Sequence, residues 1–293
     1  MAIANRIGHT KRRGTRVDDE VLPVRNSAMV ILRLTLLVFV AWTTSAWASD
    51  CPRQGTLGTS RILEVDAAKY PRVGLKSFPQ TLPLDDKEVV LTFDDGPAAT
   101  TPRILAALAR ECVLATFFQV GRSSQALPGL VKKVTMGGHT LGHHTWSHPH
   151  LNAMTFETAR DNIDRGIAAD EAALHGKATN VPSTPFFRFP YFESTPELLE
   201  MLQARGIVVF GADFWASDWL PMTPQDELKL ITGRLKAARK GIILFHDPRA
   251  QTAAMLPDFL KYLRVNGYRV VHVVPKPKGA DMHGNADDTP KTH

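Results

Sequence analysis

The feature that most constrains the fold is a repeated alternation of short apolar runs with helical stretches. The apolar runs end at Phe93, Val120, His143, Phe189, Phe210, Phe245 and Val274. The helical patterns between them cover Thr101 to Arg110, Phe156 to Leu174, Pro196 to Arg205, Pro224 to Arg239 and Pro257 to Asn266. Such repetition predicts an α/β fold, a parallel sheet covered by helices, with functional groups at the carboxyl ends of the strands.

Two adjacent carboxylates, Asp94 and Asp95, follow the apolar run Val89–Leu91 and precede a Gly-Pro break. The run predicts a buried strand and the break must leave the sheet, so both acids are expected at the end of a strand. Alternation along a strand sends neighbouring side chains in different directions. One carboxylate can therefore bind a cation while the other acts as a base.

A pair of histidines supplies the other half of a metal site. His144 and His148 are four residues apart, a spacing that places both on one side of a helical turn. With one carboxylate they form a His2Asp set, which leaves a coordination position open for water or substrate, as in catalytic zinc sites. The two segments together predict a metal-assisted hydrolase.

Three later segments carry further polar side chains. Arg188 is flanked by phenylalanines, so its planar guanidinium is expected to face a cleft and to hold a carboxylate. Asp213 begins a segment rich in large rings, which ends at Trp219. His246 ends the apolar run 241–245, a position suited to a general acid.

These five segments, in this order, resemble the polysaccharide deacetylase family, also called the NodB homology domain or carbohydrate esterase family four. The resemblance covers residues 86–275 and implies a single-domain, distorted (β/α)7 barrel. It implies that Asp94 is the catalytic base and that Asp95, His144 and His148 hold a divalent metal ion, with zinc expected and cobalt or another divalent ion as the alternative. The resemblance further implies that Arg188 orients Asp94, that Asp218 supports Arg188 and that His246 protonates the leaving amine. The Tyr191 N–H is implied to contact the oxyanion. Trp219 is implied to wall the pocket, Leu244 to pack against the acetyl group and Pro190 to contact the substrate.

The chain departs from the family's pattern near two of these residues. Trp215 stands where the family usually has an aspartate, three residues before Asp218, and Asp213 either compensates for that loss or does not. Phe192 follows the Pro-Tyr pair in place of a small residue and is expected to narrow the groove. A different choice of metal ligands is left open by four further histidines: His139, His143, His150 and His175.

The N-terminal region predicts export. Residues 29–48 have a short positive start, an apolar stretch and the small-x-small exit Ala46-Trp47-Ala48, which is typical of a signal peptide cleaved after Ala48. The apolar core, Leu34 to Trp42, is short for a membrane span, so we expect no stable membrane insertion after cleavage; an uncleaved anchor is the alternative. Met29 would start a signal peptide of ordinary length. A secreted or periplasmic protein is expected.

The expected organisation is an N-terminal extension and signal peptide over 1–48, an irregular segment over 49–85, the catalytic domain over 86–275 and a disordered tail over 276–293. Cys51 and Cys112 either form a disulfide or are two independent thiols. The formal charge of +6 falls to about +2 once residues 1–48 are removed, which is too little to indicate nucleic-acid binding.

The predicted activity is hydrolytic removal of N-acetyl groups from glycans that contain N-acetylglucosamine, with release of acetate. Chitin oligomers, peptidoglycan and exopolysaccharides are all candidate substrates, and no oligomeric state is predicted. Two alternatives are a secreted carbohydrate-binding protein with the same fold and no turnover, and a deacylase of a non-sugar amide.

Overall fold

A computed structural model of the protein describes residues 54–277. The strands are β1 (Thr59–Val65), β2 (Arg72–Val73), β3 (Glu88–Gly96), β4 (Thr116–Gln119), β5 (Thr140–His143), β6 (Phe186–Phe187), β7 (Val208–Phe210), β8 (Phe214–Trp215), β9 (Gly241–His246) and β10 (Arg269–Pro275). The helices are α1 (Thr101–Arg110), α2 (Gly121–Ala126), α3 (Pro128–Met136), α4 (Phe156–His175), α5 (Pro196–Ala204), α6 (Pro224–Ala238) and α7 (Ala250–Val265). Two 3-10 turns cover Leu151–Ala153 and Pro190–Phe192.

Parallel pairing organises these strands around β3. The order β8-β9-β3-β4-β5-β6-β7 runs through seven parallel strands, while β10 and β1 extend from the start of β3, and β2 pairs with β7. Within residues 54–277, no backbone pairing joins β7 to β8. The α/β prediction is therefore confirmed, and the barrel that the strands outline is not closed by hydrogen bonds along this seam.

The two faces of β3 face different surroundings. Phe93 stacks on Phe117 and Phe245, with ring centroids 5.1 Å and 5.5 Å apart, in the core between the sheet and the helices. Val90, on the other face, belongs to the interior cluster that includes Phe118. Because side chains alternate along a strand, Asp94 shares the interior side with Val90. Asp94 thus lies at the carboxyl ends of the strands, next to this interior apolar cluster.

The predicted helix bounds hold closely for α1, α4, α5 and α6, whereas α7 begins seven residues earlier than Pro257. Pro257 lies inside α7, where it cannot donate its backbone hydrogen bond. The helix continues because it buries Met255, Phe259 and Leu263 against the sheet. The sequence patterns did not indicate α2 and α3, which are short and are separated only by Leu127.

The prediction of an irregular segment over 49–85 is wrong in its described part, because β1 pairs in parallel with β10 over most of its length. The alternation of β1 is hidden in the sequence: Arg61 takes a partly buried position and Ile62 is exposed. The Arg61 guanidinium donates two hydrogen bonds to Glu88, at 2.9 Å and 2.6 Å, and thereby lowers the pKa of Glu88 to about 2. The ion pair lets a charged side chain occupy the strand.

Several predictions about the chain ends concern residues beyond this range. The signal peptide, its cleavage site, Cys51 and most of the tail lie outside the described residues. Cys112 is disulfide-bonded. Between residues 54 and 277, no helix is both long enough and apolar enough to cross a membrane.

Two helical glycines give opposite predictions for the same substitution. A Cβ on Gly166 of α4 would lie 2.4 Å from the Thr145 backbone, so Gly166→Ala should destabilise the protein by about 2 kcal/mol or more. Gly233 of α6 has no atom within 4 Å of that position, so Gly233→Ala should stabilise it by about 0.5–1 kcal/mol. Urea unfolding of both variants tests the pair, and two changes of the same sign would contradict this packing.

Candidate active site

A β-bulge at the end of β3 directs both carboxylates into one cavity. The register between β3 and β4 shifts between Asp94 and Gly96, and the intervening Asp95 has a left-handed backbone with φ 69°. Asp94 and Asp95 both line the same cavity. The sequence argument from alternation, which sent them in different directions, is corrected here, because the bulge breaks the alternation. The two acids differ instead in their partners.

Asp95 forms a compact group with the two predicted histidine ligands. Its Oδ1 atom lies 3.2 Å from His148 Nε2 and 3.5 Å from His144 Nε2, and the ligand atoms of all three residues lie within 4.8 Å of one another. Oδ1 is buried and has no hydrogen-bond partner in residues 54–277. A buried carboxylate oxygen facing two imidazole nitrogens fits a divalent cation with mixed nitrogen and oxygen ligands.

The histidines converge through a loop and not through the helical turn that their spacing predicted. β5 ends at His143, and the loop that follows has left-handed residues at Thr145 and His148, with φ 66° and 57°. The His148 N–H donates to Thr145 Oγ1 at 3.0 Å, while the Trp146 N–H donates to Asn162 Oδ1 at 3.0 Å. Hydrogen bonds to side chains therefore fix the conformation of this loop, in place of the backbone hydrogen bonds of a helical turn.

Hydrogen bonding and burial prepare these groups for a cation. His144 Nδ1 lies 2.7 Å from the Arg188 carbonyl oxygen, which can only accept, so Nδ1 carries the proton and the Nε2 lone pair faces Asp95. Burial and the nearby His144 lower the pKa of His148, which favours a neutral imidazole. Burial alone would raise the pKa of Asp95, but His144, together with the charges of His246 and His148, holds it well below its usual range.

The other histidines do not join this group. His143 is fully buried on the opposite side of β5, where its Nδ1 lies 2.7 Å from Asp170 of α4. His139 Nδ1 accepts the Ala115 N–H, and His150 Nδ1 contacts a glutamate carboxylate at 2.8 Å. His175 lies at the end of α4. Within the described range, the three-residue group capable of holding a metal ion is the predicted one.

Arg188 is fully buried and uses its guanidinium to hold Asp94. Nη1 donates to Asp94 Oδ1 at 2.7 Å and to Thr92 Oγ1 at 2.8 Å. Nε and Nη2 donate to the carbonyl oxygens of Phe210 and Gly211, at 3.2 Å and 2.8 Å. Thr92 was missed by the sequence analysis, although its place two residues before Asp94 on the same face of β3 is the signal that could have found it.

Asp213 acts on Arg188 through its charge, which opposes the lowering of the Arg188 pKa by burial, but the hydrogen bonds of Asp213 go to other groups. Its carboxylate accepts hydrogen bonds from the N–H groups of Leu75 and Ile242 and from the Thr81 hydroxyl. The backbone carbonyl oxygens around Arg188 fill the acceptor role instead. The centroid of the Trp215 ring lies 6.0 Å from that of Phe192, and Trp215 forms part of the cavity wall.

The predicted support of Arg188 by Asp218 is wrong, because Asp218 supports His246. Asp218 Oδ1 accepts from His246 Nδ1 and Oδ2 from the His246 backbone N–H, both at 2.7 Å. Burial lowers the pKa of His246, but the bond to Asp218 and its charge outweigh burial and raise it overall. These contacts favour the protonated form of the imidazole, with Nε2 as the nitrogen left for the cavity.

These groups meet in a cavity of about 520 Å³. Predicted residues that line it include Tyr191, Trp219 and Leu244, whereas Pro190 is buried and does not line it. The lining residues that the sequence analysis did not place there are Phe189, Trp215 and Arg249. Tyr191 and its neighbour Phe192 have left-handed backbones. The role of the Tyr191 N–H in binding an oxyanion stays a prediction.

Comparison with known proteins agrees with this geometry. Residues 81–211 match the profile of the polysaccharide deacetylases. A peptidoglycan-N-acetylglucosamine deacetylase of Bacillus cereus is 31% identical over 197 residues, which are 66% of this chain and 89% of that protein. The chain belongs to the polysaccharide deacetylase family.

Two further members of the polysaccharide deacetylase family extend the comparison. Peptidoglycan-N-acetylglucosamine deacetylase PgdA of Listeria monocytogenes is 32% identical over 190 residues, which are 64% of this chain and only 38% of that relative. The solved structure of a Bdellovibrio bacteriovorus peptidoglycan deacetylase superposes with a TM-score of 0.67 at 28% identity, covering 78% of this chain and 62% of that one.

Asp94 and Asp95 are neighbours with different partners, and a measurement of metal affinity can distinguish their roles. Asp95→Asn should weaken zinc binding by about 100-fold or more, because Asp95 touches both histidines. Asp94→Asn, the matched control, should change zinc affinity by less than about tenfold, because Asp94 is held by Arg188. Calorimetric zinc titration measures both, and equal losses would contradict the division.

Proposed function

We propose that this chain is a metal-dependent hydrolase that removes N-acetyl groups from glycans containing N-acetylglucosamine. The observation that carries the proposal is the meeting of three groups in one cavity: the Asp95–His144–His148 set, the Asp94 carboxylate held by Arg188, and the His246 imidazole held by Asp218. Hydrolysis of an amide needs an electrophile, a base and an acid, and each group suits one of these tasks.

Asp94 is suited to act as the base that takes a proton from the attacking water. Its Oδ1 atom accepts the Arg188 hydrogen bond, and its Oδ2 atom lies 3.9 Å from His144 Nε2, on the side of the ligand set. Arg188 thus fixes the carboxylate while one oxygen remains directed towards the place of reaction. A divalent ion, when bound by Asp95, His144 and His148, would polarise the acetyl carbonyl and lower the pKa of water.

His246 is suited to give a proton to the departing amine. Its raised pKa keeps a proton available near neutral pH, and an amine leaves slowly unless it is protonated. The Tyr191 N–H is the proposed donor to the oxyanion, and Leu244, buried on the cavity wall, the proposed contact for the acetyl methyl group. No covalent enzyme intermediate is needed.

The mouth of the cavity favours a sugar over a small non-sugar amide. Trp219 is 41% exposed and Tyr191 53% exposed, although large rings are usually buried. Both rings line the cavity; the Tyr191 ring is stacked on His150 at 4.0 Å, so Trp219 is the ring proposed to stack on a pyranose ring. A binding protein without turnover would not need the base, the acid and the ligand set together. We also propose that residues 29–48 direct export.

The proposal predicts acetate release that depends on a divalent ion. Purified protein without residues 1–48 should release acetate from N-acetylglucosamine oligomers or peptidoglycan fragments, lose this activity with a chelator and regain it with zinc or cobalt. Asp94→Asn should lower turnover by about 100-fold or more while the protein still binds substrate. Glycan binding without acetate release would favour a carbohydrate-binding protein without turnover. Acetate release only from small amides would favour a deacylase of a non-sugar amide.

A cationic side chain at the cavity favours substrates that carry a carboxylate near the acetamido group. Arg249 lines the cavity together with His246 and Trp219. Its side chain is half-buried, and its Nε atom has no hydrogen-bond partner within residues 54–277. A guanidinium binds carboxylates through paired hydrogen bonds. Peptidoglycan from which the stem peptides have been removed offers such a group on the lactyl ether of N-acetylmuramic acid, whereas chitin oligomers are neutral.

Arg249→Gln should therefore change the choice of substrate. We expect kcat/KM to fall about tenfold or more on peptidoglycan glycan fragments without stem peptides, because a charged hydrogen bond is lost, and to stay within about twofold on chitin oligomers. Arg110→Gln, at an exposed position at the end of α1, is the matched control and should alter neither value. Equal losses on both substrates would show that Arg249 serves a feature common to them.

A further inference from the structure

A line of buried polar side chains continues from His246 away from the cavity. Asp218, which accepts both hydrogen bonds from His246, also lies 2.8 Å from the Thr252 hydroxyl through its Oδ2 atom. Thr252 Oγ1 lies 2.9 Å from Glu227 Oε1 on the other side. Asp218, Thr252 and Glu227 are all 0% exposed. Three elements therefore meet at this line: the loop after β8, α6 and α7.

Counting donors along the line places a proton on Glu227. The Thr252 hydroxyl has one proton, yet it contacts a carboxyl oxygen of Asp218 and one of Glu227. It cannot donate to both. Asp218 already accepts two N–H groups of His246, so it acts as an acceptor in this line. All contacts are satisfied if a protonated Glu227 donates to Thr252 and Thr252 donates to Asp218.

The surroundings of Glu227 also disfavour its charge. Its second oxygen, Oε2, is buried without a hydrogen-bond partner in the described part of the chain. Burial and the charge of Asp218 raise the pKa of Glu227 to about 7, against smaller opposing effects of Thr252 and His246. Arg234, further along α6, donates to the Trp215 carbonyl and to Ser217.

We propose that Glu227 is a positioning residue that holds a proton at the far end of a relay, Glu227–Thr252–Asp218–His246. The relay orients His246, the catalytic acid, and lets it keep its proton to higher pH once Glu227 has ionised. The relay rests on the proposed function only in taking His246 as the acid. While Glu227 is protonated, Asp218 is the one anion of this line, and Asp94 and Asp95 act on His246 from the cavity side. When Glu227 ionises, a second negative charge on the line stabilises the imidazolium, so His246 keeps its proton to higher pH.

The first test needs no substrate and compares unfolding of the wild type with Glu227→Gln. The native pKa of about 7 lies above the ordinary 4.5, so in this pH window the native state holds a proton that the unfolded chain has released. Unfolding free energy then falls as pH rises. The Gln variant lacks this change. The folding equilibrium constant of the wild type, relative to the variant, should fall by up to about 300-fold from about pH 3.5 to pH 8, most of it between pH 4.5 and pH 7, and stay level above pH 8.

A matched control comes from another buried glutamate. Glu171 is 3% exposed, but its carboxylate accepts two hydrogen bonds from Ser183. Glu171→Gln should show no such fall in relative stability between the same pH values. Asp247, whose pKa burial also raises to about 7, is present in all the proteins and cancels in the comparison. If the folding equilibrium constant of the wild type relative to Glu227→Gln stayed level or rose with pH, the proposal would be overturned.

The second test measures turnover against pH. At acidic pH, Glu227→Gln should keep kcat within about threefold of the wild type, because its amide still donates to Thr252. The loss of activity on the basic side should begin at lower pH than in the wild type, by roughly half a pH unit or more, since the variant cannot gain the second charge. KM should not change. An unchanged basic limb would contradict the adjustment of His246.

Variants of Thr252 keep the proposal testable if Glu227→Gln does not fold. Thr252→Val removes the hydroxyl between the two carboxyl groups and should lower kcat about tenfold with KM unchanged, and Thr252→Ser should restore the wild-type value. Equal activity of the two variants would exclude the relay. The stability test also separates this proposal from the proposed function: a pH-dependent fall without acetate release from any glycan supports the relay and refutes the deacetylase.

Discussion

The site depends on one buried cation, the guanidinium of Arg188. Burial disfavours this charge and lowers its pKa, and the Asp94 carboxylate at 2.7 Å opposes that effect. The same residue also orients a metal ligand, because its backbone carbonyl accepts the proton of His144 Nδ1. The side chain of Arg188 thus fixes the base and its main chain fixes a ligand. Substitution of this side chain would leave Asp94 as a buried anion without its guanidinium partner, whereas the backbone carbonyl that orients His144 would remain.

The substitution of Trp215 for an acid shows how the main chain can supply hydrogen-bond acceptors to Arg188, while Asp213 acts on it only through its charge. Carbonyl oxygens of Phe210 and Gly211 accept from Arg188 at the end of β7. Neutral acceptors satisfy the guanidinium and leave Asp94 as the anion that contacts it. The position of the missing acid then carries a ring that packs against Phe192 and Trp219 and shapes the groove. A change in the support of the base has therefore also changed the wall of the cavity.

Much of this arrangement could be predicted because its residues are close in sequence or follow apolar runs. Asp94, Asp95, His144 and His148 belong to short segments of that kind, and the alternation of strands and helices predicted the sheet that joins them. The bulge at Asp95 could not be predicted, since a left-handed residue there is not a glycine. The partner of Asp218 depends on how two strand ends meet in space. Glu227 gives no signal either: in the sequence it is one acid among several at the start of an amphipathic helix.

The left-handed residues around the cavity have a consequence for how the protein can change. Six non-glycine residues with positive φ lie in the site or beside it: Asp95, Thr145, His148, Tyr191, Phe192 and Ser217. Each holds a conformation that costs about 1 kcal/mol or more and that glycine adopts freely. Laboratory selection for thermal stability alone would therefore favour glycine at these positions and remove the side chains that form the site. Selection for function must therefore act against selection for stability at these six positions.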